Sequence, residues 1–350
     1  MGIGLTLSFA ACKKGYIDPI SKVDPGTDEQ APTVEITSPS SDIQYPATTD
    51  AADFDFKFKV TDDIELSKVD ISLDGTLLKS YTSFIDYRGI SGSYTYAGLG
   101  IGSHTFEVVA TDLSGKSITK SFAFNITKYN KVIESETLYV PFNPGGDFKD
   151  LINLVSPTLT GTSTTTNATG GHNGAAYQGA TDAYITFPIA GLYSSDGISF
   201  SFWYKLNASP DRSGIITIND NDNNSDDNRT QGLRLFREGS STSQTIKINV
   251  GTGSGESWND GAAIAAPSGN WVHIAATISP TESKLYFNGV LQRTATYTSS
   301  FDFSTSTTMT IGSGAPSFTY WSHLSDLSLY DDFRVFNTVL TPDDIQLLMQ

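Results

Sequence analysis

At roughly 150 residues per domain, a chain of 350 residues predicts two domains, and its single cysteine excludes both an internal disulfide and a multi-cysteine metal centre. Lys and Arg number 22 against 38 Asp and Glu, so the net charge of −16 repels nucleic acid and anionic membrane surfaces. Charged residues at 17%, aromatics at 11% and 31 glycines exclude a disordered chain and favour turn-rich β structure.

Residues 3–12 read IGLTLSFAAC, an apolar run too short to cross a bilayer and suited to the hydrophobic part of a secretory signal. Phe9-Ala10-Ala11-Cys12 resembles a bacterial lipobox. The resemblance implies that residues 1–12 are a lipoprotein signal ending in Cys12, which becomes acylated and anchors the chain to a membrane. Residues 13–31 are polar, broken by Pro and Gly, and without hydrophobic period, as expected of a flexible tether. Fully extended, such a tether reaches about 65 Å.

From residue 32 the texture alternates. TVEIT at 33–37, DFDFKFKV at 53–60 and KVDISL at 68–73 each place apolar side chains on one face, which is the signature of half-buried strands. Asp74-Gly75 marks a two-residue hairpin turn, and 102–126 reads as a second hairpin. The words PTVEITSP at 32–39, VTDD at 60–63, VDISLDG at 69–75 and HTFEVVATD at 104–112 resemble a bacterial immunoglobulin-like module. The resemblance implies a spacer domain over 32–127, followed by a linker at 128–135.

Residues 136–350 predict about a dozen longer strands in two stacked sheets, a jelly roll. In ISFSFWYK at 198–205, Ile198, Phe200, Phe202 and Tyr204 face the core, and Ser199, Ser201, Trp203 and Lys205 face solvent. The last segment, TPDDIQLLM at 341–349, predicts one short helix with Thr341 as N-cap, Pro342 in the first turn and two carboxylates opposing the helix dipole. The words AAYQGATDAYITFP at 175–188, ISFSFWYK, NWVHIAAT at 270–277, KLYFNGV at 284–290, IGSG at 311–314, YDDFRVFN at 330–337 and LTPDDI at 340–345 resemble the laminin-G-like branch of the concanavalin A-type fold. The expected fold class is therefore all-β: an Ig-like sandwich, then a larger concanavalin-type jelly roll with one C-terminal helix.

That fold hosts lectins, adhesion modules and hydrolases, so function rests on side chains. A glycoside hydrolase needs two carboxylates about 5–9 Å apart, and no Glu-x-Asp-x-x-Glu word is present. Glu136, Glu238, Glu256 and Glu282 stand isolated and read as solvated; His273 reads as a structural imidazole. The resemblance implies a structural calcium ion, for which the oxygen-rich segments offer Asp147, Asp150, Asp182, Asp331 and Asp332. The Asn/Asp-rich loop 219–228 lacks the glycine and terminal acid of an EF-hand and reads as solvated. Trp203 and Trp271 lie in strand words and read as packing residues. Trp258 and Trp321 lie in polar, loop-like surroundings, where an exposed indole suits the apolar face of a sugar ring. With Asn259, Asp260, Tyr320 and His323 beside them, they form the expected ligand site.

Signal, stem and head together resemble the surface glycan-binding lipoproteins of Bacteroidota-type polysaccharide-utilisation systems. The resemblance implies a non-catalytic receptor, lipid-anchored to the outer membrane and facing the cell exterior, that captures polysaccharide or oligosaccharide for an outer-membrane importer. A protein-adhesion or structural subunit of an outer-membrane complex is the second reading, and a divergent glycoside hydrolase or lyase the third.

Overall fold

A computed structural model describes residues 27–142, 148–162, 164–166, 169–219, 229–266, 269–319 and 321–350. Cys12 and most of the tether lie outside the described residues, as does 220–228.

The first domain comprises β1 (Thr33–Ser38), β2 (Ile43–Pro46), β3 (Ala51–Thr61), β4 (Leu66–Leu73), β5 (Thr76–Tyr81), β6 (Gly89–Gly100), β7 (Gly102–Asp112) and β8 (Ser117–Tyr129). A three-stranded sheet, β1-β3-β6, packs on a five-stranded one, β2-β8-β7-β4-β5. Alternation along β3 buries Phe56, Phe58 and Val60 and leaves Asp55, Lys57 and Lys59 exposed. Phe56 stacks on Phe106 across the sandwich at 4.4 Å. Asp74 and Gly75 both adopt positive φ, 49° and 77°, as the two-residue turn joining right-twisted strands requires. Strand β8 runs on to Tyr129, into the stretch expected to be linker.

The second domain contains β9 (Glu136–Val140), β10 (Thr158–Thr160), β11 (Thr164–Thr165), β12 (Tyr177–Gln178), β13 (Tyr184–Pro188), β14 (Ile198–Lys205), β15 (Arg212–Asn219) and β16 (Leu233–Ser240). It continues through β17 (Ser243–Gly251), β18 (Glu256–Ala265), β19 (Val272–Ile278), β20 (Glu282–Phe287), β21 (Val290–Thr296), β22 (Thr308–Ile311) and β23 (Leu329–Phe336) to the helix α1 (Pro342–Leu347). Seven strands form one sheet in the order β10-β13-β22-β15-β16-β17-β18; eight form the other, β11-β12-β23-β14-β19-β20-β21 with β9 against β23. Their inner faces share one core that includes Phe200, Phe202, Tyr204, Leu235, Ile248 and Phe333. Burying each such side chain contributes about 1.5–3 kcal/mol.

The outer face of β14 is drier than alternation alone implies, because Ser199 and Ser201 are buried. The chain beyond β23 folds over them: Ser199 Oγ donates to the Thr338 carbonyl and accepts the Leu340 amide, while Ser201 bonds His273. The helix α1 has the expected cap, with Thr341 and Asp344 bonding reciprocally, and it buries Ile345 against Ala275, Tyr286 and Phe336.

The two domains meet at a buried cluster. Tyr129 closes β8, Glu136 opens β9, and the Tyr129 hydroxyl donates to Glu136 at 2.8 Å. Arg334 of β23 pairs with Glu136 at 2.6 Å and lies 3.7 Å over the Tyr139 ring, which packs against Tyr129 at 4.7 Å. Glu136, expected to be solvated, is fully buried, and its carboxyl is pushed up by that burial against the pull of Arg334.

Candidate functional site

The site forms on the outer face of the seven-stranded sheet, toward its β18 edge. Registers align Thr217, Arg234, Asn249 and Trp258 in one row across β15, β16, β17 and β18, all on the face opposite the core. Trp258 thus stands within a strand, not in the loop that its Gly- and Ser-rich surroundings suggest.

Residues 313–319 and 321–325 fold back over this row. Thr217 Oγ1 donates to the Ser313 carbonyl and Asn219 Nδ2 to the Ser317 carbonyl. The buried Arg234 guanidinium donates to Asn249 at 2.8 Å, to Asn219, and to the Gln231 carbonyl at 2.9 Å. On this polar floor the segment lays Phe318 and His323 face to face at 4.7 Å, both packed edge-on against Phe236.

Trp321 emerges at the end of that stack and meets Trp258 at 5.7 Å with planes inclined by 30°. Both indoles are half-buried. The Arg229 guanidinium lies 5.5 Å over the Trp321 ring, and its Nε is 3.6 Å from Glu256. Glu256 also accepts Asn249 Nδ2 at 3.1 Å. The arrangement is an aromatic ledge flanked by a guanidinium and a carboxylate, chemistry that suits a ring with an apolar face and a hydroxylated rim.

The expected ligand residues separate into distinct places. Trp258 and Trp321 come together, but His323 lies beneath them, wholly buried, with Nε2 3.6 Å from Glu238 and neither ring nitrogen hydrogen-bonded. Burial pushes its pKa down to about 4. Asn259 points the other way, as alternation demands, and is buried with Nδ2 donating to the Ser283 carbonyl at 3.0 Å. Asp260 is exposed, 3.5 Å from Arg293. Tyr320 lies outside the described residues. Arg229, Phe236, Phe318 and Glu256 are the members that sequence reading missed; the proximity of Phe318 to Trp321 in SFTYWSH was the available signal, and Glu256 read as solvated.

Of the expected metal ligands, Asp331 and Asp332 are neighbours on β23, and Asp150 and Asp182 lie on other segments. Asp147 is outside the described residues. Asp150 is buried and accepts the backbone amides of Tyr139, Ile152 and Asn153. Asp182 occupies an exposed turn with φ 55°. Asp331 is buried and accepts the amides of Asn173 and Asp332, and burial pushes its pKa up to about 7. Asp332 accepts the Tyr139 hydroxyl at 2.6 Å. Among the described residues, no three His, Cys, Asp or Glu side chains gather as a metal set.

On the other sheet's outer face, Trp203 carries the exposed His172 stacked on it at 3.6 Å, with Trp271 edge-on to that imidazole at 6.2 Å. His273, beneath, is buried, bonds Ser201 at 2.8 Å, and is pushed down to about 4 by burial and by His172.

Residues 178–346 match the concanavalin A-like lectin/glucanases superfamily and residues 32–108 match the bacterial Ig domain. The protein is accordingly an all-β chain with a bacterial Ig-like domain followed by a concanavalin A-like jelly roll. Among solved structures it is similar to domain 4 of AbnA, a GH43 extracellular arabinanase from Geobacillus stearothermophilus in complex with arabinotriose, at 20% identity and TM-score 0.45, over 61% of this chain and 98% of that one. It is also similar to the binding domain of botulinum neurotoxin serotype C1, at 16% identity and TM-score 0.44, over 62% of this chain and 52% of that one. The binding domain of botulinum neurotoxin DC in complex with SialylT gives 15% identity and TM-score 0.43, over 62% and 52%. No curated protein matches.

Proposed function

We propose that the protein is a non-catalytic glycan-binding lipoprotein that captures polysaccharide or oligosaccharide at the Trp258–Trp321 ledge and passes it to an outer-membrane importer. The observation that carries this reading is the half-buried indole pair, Trp258 on the edge strand β18 and Trp321 on the fold-back segment, 5.7 Å apart with Arg229 and Glu256 beside it. Trp258 is fixed by its strand and Trp321 by its packing against Phe318, which limits the conformational entropy lost when a sugar ring settles there. The superfamily match of residues 178–346 supports a lectin-type role for this domain. Lipidation at Cys12 and outer-membrane, cell-surface placement complete the reading from the lipobox resemblance.

A glycan array probed with the intact protein tests it. Binding to a polysaccharide that falls at least tenfold in Trp258→Ala and in Trp321→Ala is the expected result. Silence across the array sinks the reading in favour of an adhesion or structural role. Release of reducing ends from a bound polysaccharide sinks the non-catalytic part.

A further inference from the structure

A cleft of about 450 Å³ opens between the two domains, and its described walls share no residue with the tryptophan ledge. That volume falls within the range of small-molecule sites, about 300–1,000 Å³. One wall is the outer surface of β3, where strand alternation presents Asp53, Asp55 and Lys57. Facing it from the jelly roll are Pro141, Leu151 and Leu154. The third side is the segment joining β1 to β2, which brings Ser40, together with β2, which brings Tyr45.

The Ser40 and Tyr45 hydroxyls are buried in these walls with no hydrogen-bond partner. Burial and the charge of Asp53 push Tyr45 up to about 12, so its proton stays on and the hydroxyl is a donor lacking an acceptor. A hydroxyl so enclosed pairs with a ligand only when its side chain turns toward the cleft. The cleft is also preformed, because the Tyr129–Glu136–Arg334 cluster fixes the domains at their junction.

We propose that this cleft is a second binding site, separate from the ledge, for a short uncharged saccharide. Its hydroxyls engage Asp53, Asp55 and Lys57 while the C–H face of one ring rests on Pro141 and Leu154. The chemistry selects this class. Carboxylates at Asp42, Asp53 and Asp55 outnumber the lysines at 57 and 149, which disfavours an anionic ligand. A purely apolar ligand would strip water from those carboxylates without replacing its hydrogen bonds.

The test reads an array of neutral and uronate-containing oligosaccharides with the intact protein and three variants. Ser41→Trp fills the cleft from its third side, Asp53→Asn with Asp55→Asn removes its acceptor charge, and Trp258→Ala reports on the ledge. Thermal melts establish folding, and Thr95→Trp, projecting from β6 into the same cleft, replaces Ser41→Trp if that variant does not fold. At least one neutral oligosaccharide should lose tenfold or more in affinity in the cleft-filling and double Asn variants while keeping its affinity in Trp258→Ala. Binding lost only in Trp258→Ala overturns the cleft and leaves the ledge standing. Cleft-dependent binding of uronates alone overturns the uncharged class, and no binding at all overturns both sites.

Discussion

Arg237 and Asp326 form an ion pair of 2.9 Å with neither side chain exposed. Asp326 also accepts the hydroxyls of Tyr204 and Tyr330, each at 2.6 Å, and that of Ser328 at 2.8 Å, so its charge is fully compensated. Asp326 lies at the far end of the segment that starts at Ser313 and carries Trp321, so the pair ties that segment to β16. Removing one member leaves the other buried and unpaired, which costs about 3–5 kcal/mol. At about 2–4 °C per kcal/mol for a domain of this size, Asp326→Ala should lower the jelly-roll melting temperature by more than about 6 °C. A scanning-calorimetry trace shifted by less than 2 °C or so would show that water or a rearranged partner rescues Arg237.

The indole pair should be measurable without any ligand. Offset aromatic pairs contribute about 0.5–1.5 kcal/mol beyond the area they bury. A double-mutant cycle of Trp258→Ala and Trp321→Ala in urea should therefore return a coupling energy in that range. Additive single effects would mean that the rings do not hold each other in solution, and the ledge would then be assembled only by its ligand.

Much of the fold could be read from the chain because period-two alternation is a local signal. Phe56, Phe58, Phe200 and Phe202 were assignable to cores from their spacing alone, and Asp74-Gly75 announced its turn by the positive φ that it tolerates. The site was only half legible. Trp258 and Trp321 were distinguishable as apolar rings among polar neighbours, yet Asn259 was grouped with Trp258 although adjacent residues of a strand face opposite ways. The burial of Glu136 depends on Arg334, far along the chain, whereas that of His323 combines the distant Phe236 with Phe318, which is close by in sequence.

The junction cluster makes a separate prediction. Arg334→Met keeps much of the side-chain volume but leaves Glu136 buried without its cation, at a cost of about 3–5 kcal/mol. Glu136, already pushed up by burial, should then bind its proton still more tightly. The Ig-like domain and the jelly roll should uncouple, giving two calorimetric transitions and a broader distribution of distances in small-angle scattering. An unchanged scattering profile would place the rigidity of the junction elsewhere.

The pH dependence of stability follows from the buried imidazoles. With folded pKa values near 4, His323 and His273 bind fewer protons folded than unfolded between about pH 6.5 and 4. Each therefore removes stability as the pH falls through that window, by about 1.4 kcal/mol per pH unit. Asp331 acts oppositely: with its pKa raised to about 7, it holds a proton folded that it loses unfolded, so its contribution falls as the pH rises from about 4 to 7. His323→Phe keeps a ring between Phe236 and Phe318 and removes the titrating group. The variant should gain on the natural protein steadily from pH 6.5 down to 4.5 in urea titrations. Parallel stability curves for the two proteins would show that His323 is not neutral in the folded state.

Finally, Gly314 controls the ledge without touching it. A Cβ there would lie 2.0 Å from the His323 carbonyl oxygen and 2.3 Å from that of Phe318, so only glycine lets the two limbs of the 313–325 segment approach. The Phe318 amide donates to the Gly314 carbonyl at 2.6 Å, which closes the turn beneath the aromatic stack. Gly314→Ala must push the limbs apart, an overpacking cost of about 1–3 kcal/mol, and the displacement passes through Phe318 to Trp321. Trp321 should become more exposed, seen as a red shift and greater quenching of tryptophan fluorescence, and glycan affinity should fall although no contacting side chain has changed. Gly269→Ala, where a Cβ meets only open space, supplies the control and should alter neither signal. Native fluorescence together with full affinity in Gly314→Ala would mean that the ledge is positioned by the sheet edge alone.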